Sequence, residues 1–173
     1  MSSRKLLTIF GATGNQGGSV IDAVLERPEL QQKYSLRGIT RDPSSGKSKA
    51  LSNKGVEMVQ GDLDDSDALR KAVQGSYGVF GVTDFWSVLD KGIEIQQGKN
   101  LFEACEAEGV KHYVFSTLRS AEKMTQGRLK HVDHFDAKAD VAEHIEANKG
   151  DMIASYVMPG ERLFLDSLYC ADR

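Results

Sequence analysis

Gly11-Ala12-Thr13-Gly14-Asn15-Gln16-Gly17 decides how this chain is read. An apolar run, Leu6 to Phe10, leads into it. Ser19-Val20-Ile21-Asp22-Ala23-Val24-Leu25, with helical spacing, follows it. Strand, glycine turn and helix form the context that a dinucleotide-binding loop requires. The first glycine permits a tight turn at the strand's end. The second lets the main chain approach a pyrophosphate, and the third lets the helix pack close to the strand. The phosphates then meet the unpaired N–H groups and the positive end of the helix dipole. The spacing is GxxGxxG rather than GxGxxG, so the pattern gains its force from its place after an apolar strand. The competing reading is a strand–helix turn whose glycines serve geometry alone.

Outward from that stretch, short apolar runs alternate with longer amphipathic ones. Such alternation predicts repeated βα units and a parallel sheet. The first helix is expected to run to about Arg27, with Pro28 marking its end. A second strand ends near Thr40, and a polar helix over Lys47 to Lys54 is closed by Gly55. Val56 to Gln60 is a third strand. A helix over Asp67 to Gln74 follows, with Asp64, Asp65 or Ser66 as its cap. Tyr77 to Thr83 is a fourth strand, and Asp84-Phe85-Trp86 a loop. Asp90 to Glu108 has helical spacing, His112 to Thr117 is a fifth strand, and Leu118 to Val132 reads as a long loop. His134 to Ala147 is a helix, and Met152 to Met158 a sixth strand broken by Pro159-Gly160. The expected fold is an α/β, doubly wound Rossmann sheet of about six parallel strands in the order 3-2-1-4-5-6.

The totals narrow the function classes. One domain is the default for 173 residues, and 40% hydrophobic with 27% charged residues is ordinary for a globular protein. A formal charge of −3 offers no basic field for nucleic acid. No apolar run is long enough to span a bilayer, and the N-terminus has no signal-peptide core. Cys105 and Cys170 lie far apart, which suits a reducing compartment better than a disulfide framework. The expected location is the cytoplasm, with the nucleus as the other.

Residues at the carboxyl ends of the predicted strands carry the candidate chemistry. Arg41, after the second strand, is placed to accept the 2′-phosphate of NADP, with Lys47 as a second cation. Asp42 beside it keeps NAD open. Asp62, after the third strand, is placed to accept from an adenine amino group; the alternative is a helix-capping role. Thr83, Ser116 and Thr117 offer hydroxyls for ribose or substrate, or serve strand-end turns. His134 and Lys138 share a helix face. Reductases of this fold commonly use Tyr-x-x-x-Lys, but no lysine stands four places after Tyr34, Tyr77, Tyr113, Tyr156 or Tyr169. The tyrosine's place before Lys138 holds His134, a possible proton carrier or an ordinary surface histidine.

Other motifs fail. Gly46-Lys47-Ser48 lacks the upstream glycine of a phosphate loop, that position holding Arg41. His131 and His134 lack partners at zinc spacing, so no metal is expected. There is no GxSxG nucleophile elbow. Phe85 and Trp86 are either pocket walls or loop anchors.

The combination resembles the NmrA-like family of atypical short-chain dehydrogenase/reductases. The resemblance rests on Ile9-Phe10-Gly11-Ala12-Thr13-Gly14-Asn15-Gln16-Gly17-Gly18-Ser19-Val20, Thr40-Arg41-Asp42-Pro43, Gly61-Asp62-Leu63-Asp64-Asp65, Tyr113-Val114-Phe115-Ser116-Thr117, His134-Phe135-Asp136-Ala137-Lys138 and Pro159-Gly160. It implies an NAD(P)-binding fold that has usually lost dehydrogenase activity. Such proteins act as regulators, including a fungal repressor that binds a GATA-type transcription factor and a redox-sensing relative responsive to NADPH. On this resemblance Gly11, Gly14 and Gly17 carry phosphate binding, Thr13, Asn15 and Gln16 are further cofactor-binding residues of the loop, Arg41 holds the 2′-phosphate and Lys138 the nicotinamide ribose. The other implied function is that of isoflavone- and quinone-reductase-like enzymes, which lack the tyrosine and rely on lysine. Lys138, with His134, would then be catalytic. Family members are typically longer, with a C-terminal subdomain that completes the substrate cleft. Residues 1–160 are therefore expected to form the nucleotide-binding domain and 161–173 a short tail, the subdomain being largely absent. The uncovered sheet edge leads to an expectation of weak solubility or of homodimers formed through that edge.

Overall fold

The computed structural model describes residues 4–159. Gly160, the tail 161–173, Tyr169 and Cys170 lie outside the described residues. Six strands form one parallel sheet in the order β3-β2-β1-β4-β5-β6. The strands are β1 (Lys5–Ile9), β2 (Tyr34–Thr40), β3 (Glu57–Gln60), β4 (Gly78–Gly81), β5 (His112–Ser116) and β6 (Ile153–Val157). The helices are α1 (Asn15–Leu25), α2 (Pro28–Lys33), α3 (Gly46–Asn53), α4 (Ser66–Val73), α5 (Phe85–Val88), α6 (Lys91–Ala107), α7 (Ala121–Met124) and α8 (Asp133–Asn148). The chain begins mid-sheet, winds outward through β2 and β3, then returns past β1 to build β4, β5 and β6. The strand order therefore reverses between β1 and β4. Ligands bind open α/β sheets at that crevice, outside the strands' carboxyl ends.

Ile9, the last residue of β1, and Phe10 directly after it feed opposite cores. Ile9 packs with Ile21, Val24, Leu36, Val56 and Phe80 on the side of α1 and α3. Phe10 packs with Leu69, Leu101, Phe102, Val141 and Ile145 on the side of α4, α6 and α8. This period of two, buried on both faces, explains why central strands read as unbroken apolar runs. On the α1 side, Leu7, Val20, Val24, Phe80, Val114 and Val157 line a second, largely apolar groove of about 540 Å³. The edge strand leaves Ile153 and Val157 exposed.

Three expectations change in detail. Pro28 does not merely end the first helix. It opens α2 as the first helical residue, where its missing N–H loses nothing and its fixed φ suits the helix. Asp84-Phe85-Trp86 is not a loop: Phe85–Val88 forms α5, closed by Leu89 at φ 52°. Within the segment read as a long loop, Ser120 accepts from the Lys123 N–H and starts α7. The Ser120 hydroxyl also donates to the buried Asp136 of α8, tying this segment down. Cys105 is buried and unpaired among the described residues, and desolvation raises its thiol pKa well above the usual range.

Candidate functional site

At the start of α1 the main chain is left with unspent donors. The first N–H groups of any helix have no partner within it. Side chains cap α3, α4 and α6: Ser45, Asp65 and Asp90 accept from the N–H groups of Ser48, Ala68 and Ile93. The cap residue of α1 is Gly14, which has no side chain to do this. α8 also lacks a side-chain cap, but it carries Asp133 and Asp136 in its first turn. Among the described helices of eight residues or more, α1 alone has neither a side-chain cap nor a first-turn acid. Its positive end is left for an anion to neutralise.

The loop's glycines are required by this geometry. Gly11 sits at φ +62°, a conformation that L side chains rarely adopt. A Cβ on Gly17 would lie 2.3 Å from the Gly11 carbonyl oxygen. That contact is with main chain and cannot be relieved by a rotamer change. The Ala12 N–H donates to the Ile39 carbonyl (3.2 Å), and the Ser116 hydroxyl donates to Gln16 Oε1 (2.6 Å). The loop is thus tied to β2 on one side and to the end of β5 on the other.

A cavity of about 710 Å³ opens over this loop and the strand ends. Gly11, Thr13, Gly14, Asn15, Gln16 and Gly17 line one end, with Arg41 and Asp62; Thr83, Phe85, Trp86, His134 and Lys138 line the other. The glycine loop, Arg41, Asp62, Thr83 and Lys138 therefore border one cavity, whereas Lys47, Ser116 and Thr117 do not. Arg41 is exposed, and its guanidinium makes no hydrogen bond or ion pair among the described residues. Asp42 is committed elsewhere: its Oδ1 accepts from the Ser44 N–H (2.8 Å) and hydroxyl (2.6 Å). The Ser44 hydroxyl bond, first, and its N–H bond hold the Asp42 pKa below the usual value. Neither Asp42 nor Lys47 lines the cavity. The cap of α4 is Asp65, so Asp62 is not needed for it. Asp62 Oδ1 accepts only the local Asp64 N–H (3.1 Å) among the described residues.

At the other end the side chains are bound to one another. Lys138 Nζ donates to the Thr83 carbonyl (2.8 Å), Thr83 Oγ1 (2.8 Å) and Glu94 Oε1 (2.7 Å). An ammonium has three donors, so all are in use. The Thr83 hydroxyl donates to the same Glu94 oxygen (2.6 Å). Glu94 is fully buried and Lys138 is 5% exposed. The hydroxyls at the end of β5 serve the frame instead. Ser116 holds Gln16, and Thr117 Oγ1 donates to the Lys138 carbonyl (2.9 Å). Neither lines the cavity.

His134 stands within an aromatic group. Its ring centroid lies 5.1 Å from Trp86, 5.7 Å from Phe85 and 4.9 Å from Phe135. Desolvation lowers the imidazole pKa below the ordinary 6.5. Phe85 and Trp86 prove to be cavity walls. Among the described residues no tyrosine lines this cavity. Sequence reasoning missed Glu94 and Gln97, which lie on the buried stripe of α6 with Leu101 and Cys105. Their spacing on that stripe was the available signal, since acidic and amide residues on a core face need partners there.

A doubly wound parallel sheet with an uncapped helix over a cavity at its switch point defines a Rossmann-type nucleotide-binding protein. The NmrA-like family profile matches residues 3–166, and the chain belongs to that family. It is 38% identical over 145 residues to the NmrA-like family domain-containing oxidoreductase ptmS of Penicillium ochrochloron, covering 80% of this chain and 42% of that protein. It is 31% identical over 175 residues to the corresponding oxidoreductase malD of Malbranchea aurantiaca, covering 98% of this chain and 51% of that protein. The chain thus spans about half the length of these curated relatives. Among solved structures, the negative transcriptional regulator NmrA in complex with NADP aligns at TM-score 0.75 and 21% identity, over 91% of this chain and 45% of that one. The NADPH-dependent quinone oxidoreductase QOR2 of Escherichia coli, complexed with NADPH, aligns at 0.69 and 23%, over 95% and 53%. These two likenesses establish the shared fold.

Proposed function

We propose that this chain binds NADP(H) along the 710 Å³ cavity and acts as a nucleotide-responsive regulator. The observation that carries the reading is the uncapped, acid-free start of α1 in the same cavity as the Arg41 guanidinium, which is unpaired among the described residues. The donor set fits the nucleotide. Main-chain N–H groups at residues 15–17 suit a pyrophosphate, with Thr13, Asn15 and Gln16 beside it. Arg41 suits a 2′-phosphate, and Asp62 has acceptor capacity for an adenine amino group. Thr83 and Lys138 stand at the nicotinamide end, where Lys138 would hold the ribose. The commitment of Asp42 to Ser44 favours NADP over NAD.

The regulatory reading is supported by the absence of a tyrosine at the described cavity and by the complete engagement of Lys138. On this reading residues 1–160 are the nucleotide-binding unit and 161–173 a tail. The chain works in the cytoplasm or nucleus through a protein partner such as a transcription regulator. The described residues include no helix long and apolar enough to cross a membrane. The exposed edge of β6 and the apolar groove beside it are surfaces through which two copies would pair.

The second reading is an NADPH-dependent reductase. It is favoured by relatives named as oxidoreductases and by His134 and Lys138 standing at one end of the cavity. Bound NADPH would supply a hydride. Lys138 would orient the ribose, and His134 would exchange a proton with the substrate. Phe85 and Trp86 would exclude water from the reacting end.

Calorimetric titration with NADPH, NADP and NAD tests the first claim. Arg41→Ala is expected to weaken NADP by about 1.5–3 kcal/mol and to leave NAD nearly unchanged. Equal losses would remove the phosphate-reading role. Assay of NADPH oxidation with quinones separates the two readings: binding without turnover supports the regulator, turnover the reductase.

A further inference from the structure

Glu94 contributes no surface to the cavity, yet it is bonded to Thr83 and Lys138, two of the polar side chains at the cavity's nicotinamide end. Its Oε1 accepts from Lys138 and from Thr83, while its Oε2 is buried with no partner among the described residues. An orphaned buried carboxylate oxygen is costly, and a stable protein keeps few of them. One turn further along α6, Gly98 packs against Val141 of α8 so closely that a Cβ there would stand 2.6 Å from the valine Cγ2. This contact sets the register of the two helices and brings Glu94 opposite Lys138.

We infer that Glu94 is a positioning residue for nucleotide binding, holding the Lys138 ammonium from behind so that it can turn a donor to a ribose hydroxyl. The inference rests on the proposed nucleotide reading. All three Lys138 donors are engaged, so a ligand acceptor must displace one of them. The bond to Thr83 Oγ1 is the one that can be exchanged, because Thr83 keeps its own bond to Glu94. The spare Oε2 lets Glu94 retain both Thr83 and Lys138 as that exchange proceeds. Glu94 therefore acts through Lys138 and touches no ligand itself.

The test compares two ligands on the full chain, NADPH and 2′,5′-ADP, which lacks the nicotinamide half. Glu94→Gln is expected to weaken NADPH about ten-fold or more while leaving 2′,5′-ADP within about two-fold of the unsubstituted protein. Glu94→Asp, which keeps the carboxylate, should recover part of the NADPH affinity; a merely structural role would move both ligands together. Equal losses for the two ligands, or no loss for NADPH, overturn the inference. If Glu94→Gln does not fold, Glu94→Asp decides by the same ligand-selective loss at smaller size. The double variant Lys138→Met with Glu94→Gln separates the two levels of the claim. If it binds NADPH normally, the assignment of Lys138 to the ribose fails. If it loses NADPH while Glu94→Gln alone does not, only the role of Glu94 falls.

Discussion

The two ends of the cavity are built by opposite means. At the glycine-loop end the chemistry lies in the main chain, where the N–H groups of residues 15–17 at the start of α1 have no partner among the described residues. At the far end it lies in side chains from three places in the chain, Thr83 after β4, Glu94 on α6 and Lys138 on α8. There every donor of Lys138 is already engaged. The first end waits for a charge, and the second is a closed circuit of charges. A helix terminus at the surface is solvated and needs no partner to exist. A buried ammonium and carboxylate each need the other.

That contrast can be broken in order of expected effect. Lys138→Met should cost about 3–5 kcal/mol of stability, because it leaves the Glu94 carboxylate buried without its counter-ion. Urea unfolding of the full chain measures this. Adding Glu94→Gln should restore most of the loss, and if it does not, the two residues are not one unit. Gly17→Ala should cost about 1–3 kcal/mol, since the new Cβ meets main chain. It should also abolish nucleotide binding; a variant of normal stability and affinity would show that the loop is less tightly set than the contact with Gly11 implies.

Smaller effects sharpen the comparison. Ser116→Ala removes the hydroxyl that holds Gln16 and should cost about 0.5–1.5 kcal/mol in nucleotide affinity, read by titration, through a looser loop. The smallest effect is pH-dependent. Desolvation lowers the folded-state His134 pKa below 6.5, so the unfolded chain binds that proton more readily. His134 therefore contributes no penalty above pH 6.5, and stability falls as pH drops through the folded-state pKa. A shallow loss of Tm in that window, absent in His134→Gln, is the expected result.

Much of the fold was legible because its signals are local. Apolar runs, glycines after helices and capping aspartates mark βα units wherever they occur, and all six strands lie close to their expected places. The misses have physical causes. Pro28 is equally suited to end one helix and to begin another, so α2 was hidden behind it. α5 and α7 are single turns with no room for periodicity. In the site, Arg41 and the glycine loop could be read from their offsets to β1 and β2. Glu94 carried only its spacing on the buried stripe of α6 as a signal, and a glutamate early in a helix is ordinarily solvated and favourable to the dipole.

By itself the sequence determined the order of elements, the glycine loop between β1 and α1 and the family resemblance, because each depends on residues near one another in the chain. Tertiary structure alone decided that Asp42 turns away to Ser44 while Arg41, in the cavity wall, has no partner for its guanidinium among the described residues. It also decided that Lys138 is bound by a glutamate 44 residues earlier. A buried ion pair is defined by which charges the packed helices bring face to face, and no local pattern encodes that distance.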